Sequence, residues 1–327
     1  MGPVLTAEAQ TWPTRGTFRI ARGSRTQITV VVATLKLDGI IARGECVPYP
    51  RYGETVEGVI KDILSMADQI TDGLTREQLQ SAMPPGAARN ALDCAFWDLE
   101  AKTCGKSAFD LAGNTNPTEL VTAYTISLDT PAAMAKAALA AHDRSLLKLK
   151  LGGEGDFERL KEIRSAVPDK RLIVDANEGW SGEQLKPYID ACIDANIELI
   201  EQPLPANCDD DLLKLHHTPV ICADESAHGL DTLAQLAGKY QSINIKLDKT
   251  GGLTEALKVA AKASEMGLEI MVGCMLATSL AMAPAMVVAQ GARVVDLDGP
   301  LLLEKDRENA IRYLGSRMQL PSPALWG

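Results

Sequence analysis

The sequence predicts an α/β protein: a (β/α)7β barrel, a modified form of the TIM barrel, with an N-terminal α+β capping domain. Three observations support this class. The first third of the 327-residue chain combines a hairpin signal with helical periodicity. From about residue 120, short apolar runs alternate with helical stretches about every 22 to 26 residues. The segment 301–327 follows the eighth run, and we expect it to return to the first domain.

The capping domain is predicted over residues 1–115, completed by that C-terminal segment. Residues 27–37 are apolar and β-branched, and Asp38-Gly39 then gives a tight turn into residues 40–46, which is a hairpin pattern. Helices are expected in "GLTREQLQSAM" and in "GAARNALDCAFWDLEAKTCG". The first has a capping-type start, and the second has apolar positions at helical spacing before a Gly stop.

The barrel is predicted over residues 116–300. Near-continuous apolar strands that alternate with helices are typical of a parallel barrel, because its strands are covered on both faces. Only seven helices fit between eight runs. A doubly wound sheet is the alternative, but no Gly-rich phosphate loop opens any of the helices. The runs are "TAYTIS", "LLKLKL", "LIVDAN", "IELIEQPL", "VICADES", "SINIKLDK", "LEIMVGCM" and "RVVDLDGP".

The composition excludes several function classes. The formal net charge of −10 argues against nucleic acid or an anionic membrane as a partner, since both need basic patches. No apolar run approaches the roughly 18 residues of a transmembrane helix. The seven cysteines are scattered and contain no C-x-x-C pair, so the sequence predicts neither a disulfide framework nor a zinc site, and a reducing cytoplasm fits. The sequence leaves open whether the chain forms a homo-oligomer.

Three consecutive predicted strands end in carboxylates, Asp175, Glu201 and Asp224. The carboxyl ends of barrel strands are where chemistry takes place. One such residue alone would fit a helix N-cap or a loop charge. Three on adjacent strands repel one another unless a cation holds them, and oxygen ligands without His or Cys indicate Mg²⁺.

Lysines flank these carboxylates on the predicted strands. Lys148 and Lys150 are two apart on the second strand and so face the same side, toward the barrel mouth. Lys246 ends the sixth run, on the opposite side of the ring. Such a pair suits removal of a proton next to a carboxylate, with a divalent cation stabilising the enediolate. A base on each face would invert the carbon.

A lysine acts as a base only when its amine is neutral. Lys148, a bound cation and partial desolvation are expected to favour the neutral amine of Lys150. Taken singly, either lysine of the pair could instead be a snorkelling or ion-paired side chain.

These residues together resemble the enolase superfamily, specifically its muconate-lactonizing-enzyme-like subgroup, over essentially the whole chain. The resemblance implies that Asp175, Glu201 and Asp224 bind Mg²⁺. It also implies that Lys150 and Lys246 are the acid/base pair and that Lys148 assists. The matching motifs are "KLK" at 148–150, "VDAN" at 174–177, "EQPL" at 201–204, "ADES" at 223–226, "NIKLDKTGG" at 244–252 and the helix "ARNALDCAFWDLEAK".

Within the subgroup the chain is most similar to the dipeptide epimerases, through Asp296 and Asp298 in "DLDGP" of the eighth strand. In those enzymes such a D-x-D receives the free ammonium of the dipeptide, for which a carboxylate pair is a strong acceptor. A solvated loop pair is the alternative. The resemblance implies epimerisation of the C-terminal residue of a dipeptide, with L-Ala-L/D-Glu as the expected substrate, and a role in peptidoglycan peptide metabolism.

A positive charge should complement the glutamate side chain. "RIARGSR" reads as a loop, and the equivalent loop of the family closes over the barrel mouth. Arg25 is the first candidate and Arg22 the second, with solvated surface arginines as the alternative. Four further residues at strand ends are expected to line the pocket: Thr125, Cys274, Met275 and Leu276.

Two other functions compete with this interpretation. An o-succinylbenzoate synthase or muconate cycloisomerase type of lyase would use the same scaffold, but its substrate lacks an ammonium to face Asp296 and Asp298. A catalytically inactive ligand-binding relative would have no use for the full set of three carboxylates and three lysines.

Overall fold

The computed structural model describes residues 2–216 and 219–327. It contains a three-stranded antiparallel sheet with helices, an eight-stranded parallel sheet, and a small C-terminal sheet. Within the described residues, no helix combines the length and apolar character that crossing a membrane requires.

The N-terminal sheet has the order β1-β2-β3, from Val4–Ile20, Gly23–Leu37 and Ile40–Cys46. The predicted hairpin is present: Leu37 pairs with Ile40, and Asp38 and Gly39 both have positive φ, as a two-residue hairpin turn requires. Strand β1 was not predicted. Most of its side chains are exposed or half-buried, so its sequence has no clear apolar run.

Five helices complete this part of the chain. Helix α3 begins with a capping box between Thr75 and Gln78, and α4 ends at Gly105, whose left-handed conformation suits glycine. Helix α4 packs directly on β3, where a Cβ on Gly44 would lie 2.1 Å from the Ala91 carbonyl oxygen. The helices are α1 (Val56–Leu64), α2 (Ala67–Thr71), α3 (Arg76–Ala82), α4 (Ala87–Cys104) and α5 (Ala108–Leu111).

The eight predicted barrel strands are present and parallel, in sequential order. Thr122 forms a parallel bridge with Val295, and this contact closes the ring between its first and last strands. The predicted (β/α)7β barrel with an N-terminal α+β domain is therefore confirmed. Strand β4 (Leu120–Val121) precedes the barrel, whose strands are β5 (Tyr124–Ile126), β6 (Leu146–Lys150), β7 (Arg171–Asp175), β8 (Ile197–Glu201), β9 (Val220–Ala223), β10 (Ser242–Ile245), β11 (Glu269–Gly273) and β12 (Val294–Asp296).

Helices surround most of the barrel, but the connections after β8 and β9 carry 3-10 segments, Asp210–Lys214 and Leu230–Leu236. The first begins within the stretch "PANCDDD", residues 205–211, which lacks an apolar stripe at helical spacing. The α-helices are α6 (Pro131–Ala140), α7 (Asp156–Ala166), α8 (Gly182–Asp194), the single turn α9 (Leu247–Thr250), α10 (Leu253–Glu265) and α11 (Ser279–Val288).

The barrel interior changes from apolar to charged along the strands. An apolar cluster fills its lower part, and most of the inward positions two residues later hold polar side chains. Lys148 follows Leu146 in this way, and Asp175 follows Ile173. The polar layer therefore lies on an apolar floor formed by Ala123, Leu146, Ile173, Leu199, Cys222, Met271 and Val294.

The C-terminal segment contacts both parts of the chain. Strands β13 (Tyr313–Leu314) and β14 (Arg317–Met318) form a small sheet with β4. The buried indole of Trp326 donates to the Cys94 carbonyl of α4, 2.9 Å away. The exact division of the chain at residues 115 and 300 stays a prediction.

Candidate active site

Lys148 lies among the carboxylates at the barrel mouth. Its Nζ is 2.5 Å from Glu201 Oε2, 2.7 Å from Asp296 Oδ2 and 3.2 Å from Asp175 Oδ2. Burial lowers the pKa of Lys148, but the charges of these three carboxylates outweigh that effect and hold it well above the ordinary value. These carboxylates therefore favour the charged form of Lys148, which links Asp175 and Glu201 to Asp296.

Lys150 and Lys246 lie on opposite sides of this group. Lys150 Nζ donates to Asp175 Oδ2 at 2.6 Å, and Lys246 Nζ donates to Asp224 Oδ2 at 2.6 Å. Burial lowers the pKa of Lys246, yet the charges of Asp224 and Glu201 raise it further and leave the amine protonated. In the protein alone, the carboxylates around Lys246 favour its protonated form. A general base needs a neutral amine, so this arrangement by itself does not prepare Lys246 to accept a proton.

The three strand-end carboxylates differ in their electrostatic balance. Burial raises the pKa of Asp175 and Asp224, but neighbouring lysines more than compensate and lower both. Burial and the charge of Asp175 raise the pKa of Glu201 to about 7. Glu201 is thus the carboxylate least compensated by positive charge.

The donor set fits a hard divalent cation. Glu201 Oε2 is buried and accepts no hydrogen bond despite its short contact with Lys148, and three carboxylates supply only oxygen donors. The lysine amines stand between these carboxylates, and no three Asp, Glu, His or Cys side chains of the described residues already surround one point as ion ligands. A cation bound there would have to take over contacts that the lysines now make.

Two residues missed by the sequence reasoning fix the carboxylates. Lys249 is fully buried, and its Nζ donates to Asp224 Oδ1 at 2.6 Å. Asn244 donates to Glu201 Oε1 at 2.7 Å, and a Cβ on Gly273 would lie 2.6 Å from the Asn244 side chain. Asn244 precedes Lys246 by two residues on β10, so strand alternation could have identified it. Lys249 lies beyond the strand, where alternation no longer applies.

Asp296 and Asp298 lie side by side at the end of β12, both buried. Asp296 Oδ1 has no hydrogen-bond partner, whereas Asp298 Oδ2 accepts from the Thr125 backbone N–H at 2.6 Å. Burial and the charge of Asp296 raise the pKa of Asp298 to about 7. Thr125 lines a cavity of about 380 Å³ beside α6, rather than the cavity at the barrel mouth.

A cavity of about 220 Å³ lies at the barrel mouth, between the end of the β1–β2 hairpin and the strand ends. Lys150, Asp224 and Lys246 face it from the barrel. Cys274, Met275 and Leu276 also line it, as do the aromatic side chains Phe18, Tyr49 and Tyr52 of the N-terminal part.

The segment "RIARGSR" is not a loop: it forms the closed end of the β1–β2 hairpin, where Ile20 pairs with Gly23. Arg22 stands at the turn and is already engaged, 2.7 Å from Glu225 Oε1 and 3.2 Å from Glu178 Oε2. Arg25 lies over the Tyr49 ring, 5.7 Å from its centroid, and no carboxylate of the described chain forms an ion pair with it. Of the two candidates, Arg25 therefore has the available guanidinium.

Comparison with known proteins identifies the relatives of this chain. Residues 4–113 match the model of the mandelate racemase / muconate lactonizing enzyme N-terminal domain, and residues 131–323 match the enolase C-terminal domain-like model. The L-Ala-D/L-Glu epimerase of Escherichia coli is 47% identical over 95% of this chain and 98% of its own length. The N-acetyl-D-glutamate racemase of a Pseudoalteromonas species is 44% identical over 92% and 95%.

Solved structures agree with these matches. An enolase family member from Agrobacterium tumefaciens, with homology to dipeptide epimerases and with bound sodium and L-Ala-L-Glu, is 51% identical with a TM-score of 0.98. The alignment covers 99% of this chain and all of that one. The dipeptide epimerase of Enterococcus faecalis, complexed with Mg and L-Leu-L-Tyr, is 28% identical with a TM-score of 0.92, over 100% of this chain and 99% of that one.

Proposed function

The chain belongs to the mandelate racemase / muconate lactonizing enzyme family of the enolase superfamily and is an isomerase, and from this premise we propose that it epimerises the C-terminal residue of a dipeptide. L-Ala-L-Glu and L-Ala-D-Glu are the proposed substrates. The observation that carries the proposal is the placement of Lys150 and Lys246 on opposite sides of a row of carboxylates. The Escherichia coli epimerase and the L-Ala-L-Glu complex from Agrobacterium tumefaciens support it.

Asp175, Glu201 and Asp224 would hold the metal, and Mg²⁺ is the proposed ion. The cation supplies positive charge beside the substrate carboxylate, where negative charge develops as the α-proton leaves. Its own charge would also oppose the excess of carboxylates that now keeps Lys246 protonated. The magnesium in the Enterococcus faecalis complex supports this choice of ion.

Lys150 and Lys246 move the proton. The neutral Nζ of one lysine takes the α-proton on its face of the substrate, and the ammonium of the other returns a proton from the opposite face. The carbon is inverted, and no other bond changes. Lys148 stays protonated among its three carboxylates and would contact the substrate carboxylate. A two-base mechanism needs one lysine on each face of the substrate. The positions of Lys150 and Lys246 on opposite sides of the barrel mouth fit this requirement.

The remaining polar groups of the site would orient the dipeptide. Asp296, with one unpartnered carboxylate oxygen, and Asp298 would accept the N-terminal ammonium. Arg25 would bind the glutamate side chain, because Arg22 is already paired with Glu178 and Glu225. These assignments place opposite charges at the two ends of one dipeptide, around the reacting carbon.

N-acetylglutamate racemisation is a second candidate function. Lys148 already compensates Asp296, and burial together with the charge of Asp296 raises the pKa of Asp298 to about 7, which favours protonation of Asp298 over that of an ordinary carboxyl. A protonated Asp298 could donate a hydrogen bond to the acetyl oxygen of N-acetylglutamate. The free ammonium of a dipeptide offers no such acceptor. The N-acetyl-D-glutamate racemase among the relatives favours testing this substrate.

Proton NMR in D₂O tests both functions. Enzyme with Mg²⁺ and L-Ala-L-Glu should lose the glutamate α-proton signal and produce the resonances of the L,D diastereomer. N-acetyl-L-glutamate is the matched substrate without an ammonium, and it should react with a lower kcat/KM. Faster turnover of N-acetylglutamate would assign the second function, and exchange of neither α-proton would contradict both.

The cellular setting is also part of the proposal. All seven cysteines lie within the described residues and are free thiols, which fits the reducing environment of the cytoplasm. Because the L-Ala-Glu unit occurs in peptidoglycan peptides, the proposed activity would serve their metabolism.

A further inference from the structure

Helix α4 of the N-terminal domain holds the segment that follows Lys246, residues 247–254, here called the Lys246 segment. We propose that α4 thereby positions Lys246 for proton transfer, and that Asp248 is the positioning residue through which it acts. The inference rests on the proposed epimerisation, because it concerns one of the two lysines of that reaction. It assigns a role to Asp248, a buried residue that does not line the cavity at the barrel mouth.

Asp248 joins the Lys246 segment to two elements of the N-terminal domain. Its Oδ1 accepts from the Val47 backbone N–H, next to β3, at 3.0 Å, and from Asn90 Nδ2 of α4 at 2.8 Å. Both donors are neutral. Burial raises the pKa of Asp248 to about 7, as expected for a carboxyl that gains no cation. Asp248 therefore acts as a hydrogen-bond acceptor for the docking of the two domains.

Arg89 holds the end of the α9 turn. Its Nε donates to the Gly251 carbonyl at 3.0 Å and its Nη2 to the Thr250 carbonyl at 2.8 Å. Gly251 has φ of 75°, and a Cβ there would lie 2.6 Å from Arg89 Nε. Glycine is required at this position both by the backbone conformation and by the closeness of the helix.

Asp93 and Trp97 hold the start of α10. Asp93 Oδ2 accepts from the Thr254 backbone N–H at 2.9 Å, and the Trp97 indole donates to the Thr254 hydroxyl at 2.9 Å. Together with Arg89, these residues recur at positions i, i+4 and i+8 and so share one face of α4. Three successive positions on one face of α4 therefore contact the Lys246 segment.

The position of this segment determines that of Lys246. The Lys246 carbonyl accepts from the N–H groups of Lys249 and Thr250, at 2.9 and 3.1 Å, so the lysine backbone is part of the α9 turn. A shift of the turn would move the Lys246 amine relative to the substrate. Proton transfer tolerates little displacement, since a misplacement of about 1 Å can cost about 10²-fold in rate.

The test measures α-proton exchange in D₂O separately for L-Ala-L-Glu and L-Ala-D-Glu. Asp248→Ala should lower the exchange rate of one epimer by about tenfold or more, and that of the other by less than about twofold. The slowed epimer should be the one whose exchange Lys246→Ala abolishes. Asp248→Asn keeps an oxygen acceptor at the same place and should retain near-normal exchange of both epimers.

Asp98→Ala is the matched control. Asp98 is also a buried carboxylate, but it lies on α4 away from the Lys246 segment. It accepts from the Arg43 backbone N–H and from Lys102 Nζ, both at 2.8 Å. Any loss that it causes through stability alone should affect both epimers equally. Melting temperatures of all variants separate destabilisation from misplacement of the amine.

Equal slowing of both epimers by Asp248→Ala, or no slowing, would overturn the positioning role. If that variant does not fold, Asn90→Ala decides by the same criterion, since it removes the donor and leaves the carboxylate. A wild-type enzyme that exchanges neither epimer contradicts the proposed function itself. If the wild-type enzyme is active but Asp248→Ala does not slow one epimer more than the other, only the positioning role is contradicted.

Discussion

The segments that follow the two lysines are held by different parts of the molecule. After Lys150, the Asp156 carboxylate accepts from the Gly153 N–H at 2.7 Å and from the Trp180 indole at 2.9 Å. The Tyr188 hydroxyl donates to the Gly153 carbonyl at 2.6 Å. These residues all belong to the barrel. After Lys246, the corresponding contacts come from helix α4 and from Val47 of the N-terminal domain.

Because different residues hold the segments after the two lysines, we expect the two faces of the site to depend on different parts of the structure. The hydrogen bonds of the segment after Lys150 come from the barrel, while Ala21 of the N-terminal domain packs near Gly152. The segment after Lys246 also forms buried hydrogen bonds with the N-terminal domain, so we expect the position of Lys246 to depend on the docking of that domain. Changes at the domain interface should therefore affect one direction of proton abstraction, and changes around Asp156 the other.

Replacement of either lysine should have the largest effect. Lys150→Ala and Lys246→Ala should each lower epimerisation by about 10³-fold or more, because general acid–base catalysis is removed from one face. Each variant should still exchange the α-proton of one epimer, and a different epimer in each case. Epimer-resolved NMR in D₂O measures this, and normal turnover in either variant would refute the two-base mechanism.

Metal removal should affect both faces alike. Asp175, Glu201 and Asp224 lie between the two lysines and would hold the proposed cation, which would stabilise the same developing charge whichever epimer reacts. Dialysis against EDTA should lower exchange of both epimers by about 10²-fold or more, and added Mg²⁺ should restore it. Unchanged activity of metal-free protein would contradict the three-carboxylate site.

Asp156→Ala should mirror Asp248→Ala on the opposite face. The change leaves the buried Gly153 N–H and Trp180 indole without an acceptor, so the segment after Lys150 should shift. The epimer whose exchange Lys150→Ala abolishes should slow by about tenfold, and the other should change little. Arg171→Ala, which removes a surface ion pair with Glu198 at the opposite end of the strands, is the control. Slowing of the wrong epimer would disprove the division between the two faces.

Arg25→Gln should have the smallest effect and no bias between faces. Loss of the guanidinium should raise the KM for L-Ala-L-Glu by about tenfold, as for one charge-assisted hydrogen-bonded pair. The neutral dipeptide L-Ala-L-Gln should be affected less. Steady-state kinetics with both dipeptides check this, and equal losses for the two would argue against Arg25 as the side-chain partner.

Much of the site follows from regular strand periodicity. Alternation along β6 places Lys148 and Lys150 on one side, and the same rule applies to Asp296 and Asp298 around the end of β12. The ends of β7 and β8 carry Asp175 and Glu201, as predicted from where the apolar runs stop. These predictions succeed because the side-chain direction in a strand depends only on local backbone geometry.

The local rule fails where the chain leaves the strand. Lys249 reaches Asp224 from the α9 turn, beyond the end of β10. Arg22 is paired with Glu178 and Glu225 by contacts across the domain interface. Strand β1 is defined by its pairing with β2 rather than by its own apolar pattern. Each of these features depends on residues that are far apart in the sequence.

The sequence by itself determined the fold class, the order of the strands and the charged residues that end them, because apolar periodicity and residue chemistry are local properties. Only the tertiary structure decided which arginine remains free of an ion pair and which domain forms the hydrogen bonds with the segment that follows each lysine. The contacts of Arg89, Asn90 and Asp93 with the Lys246 segment join residues about 160 positions apart. Such contacts arise from the docking of two separately patterned domains, and no local pattern in either one specifies the partner atoms in the other.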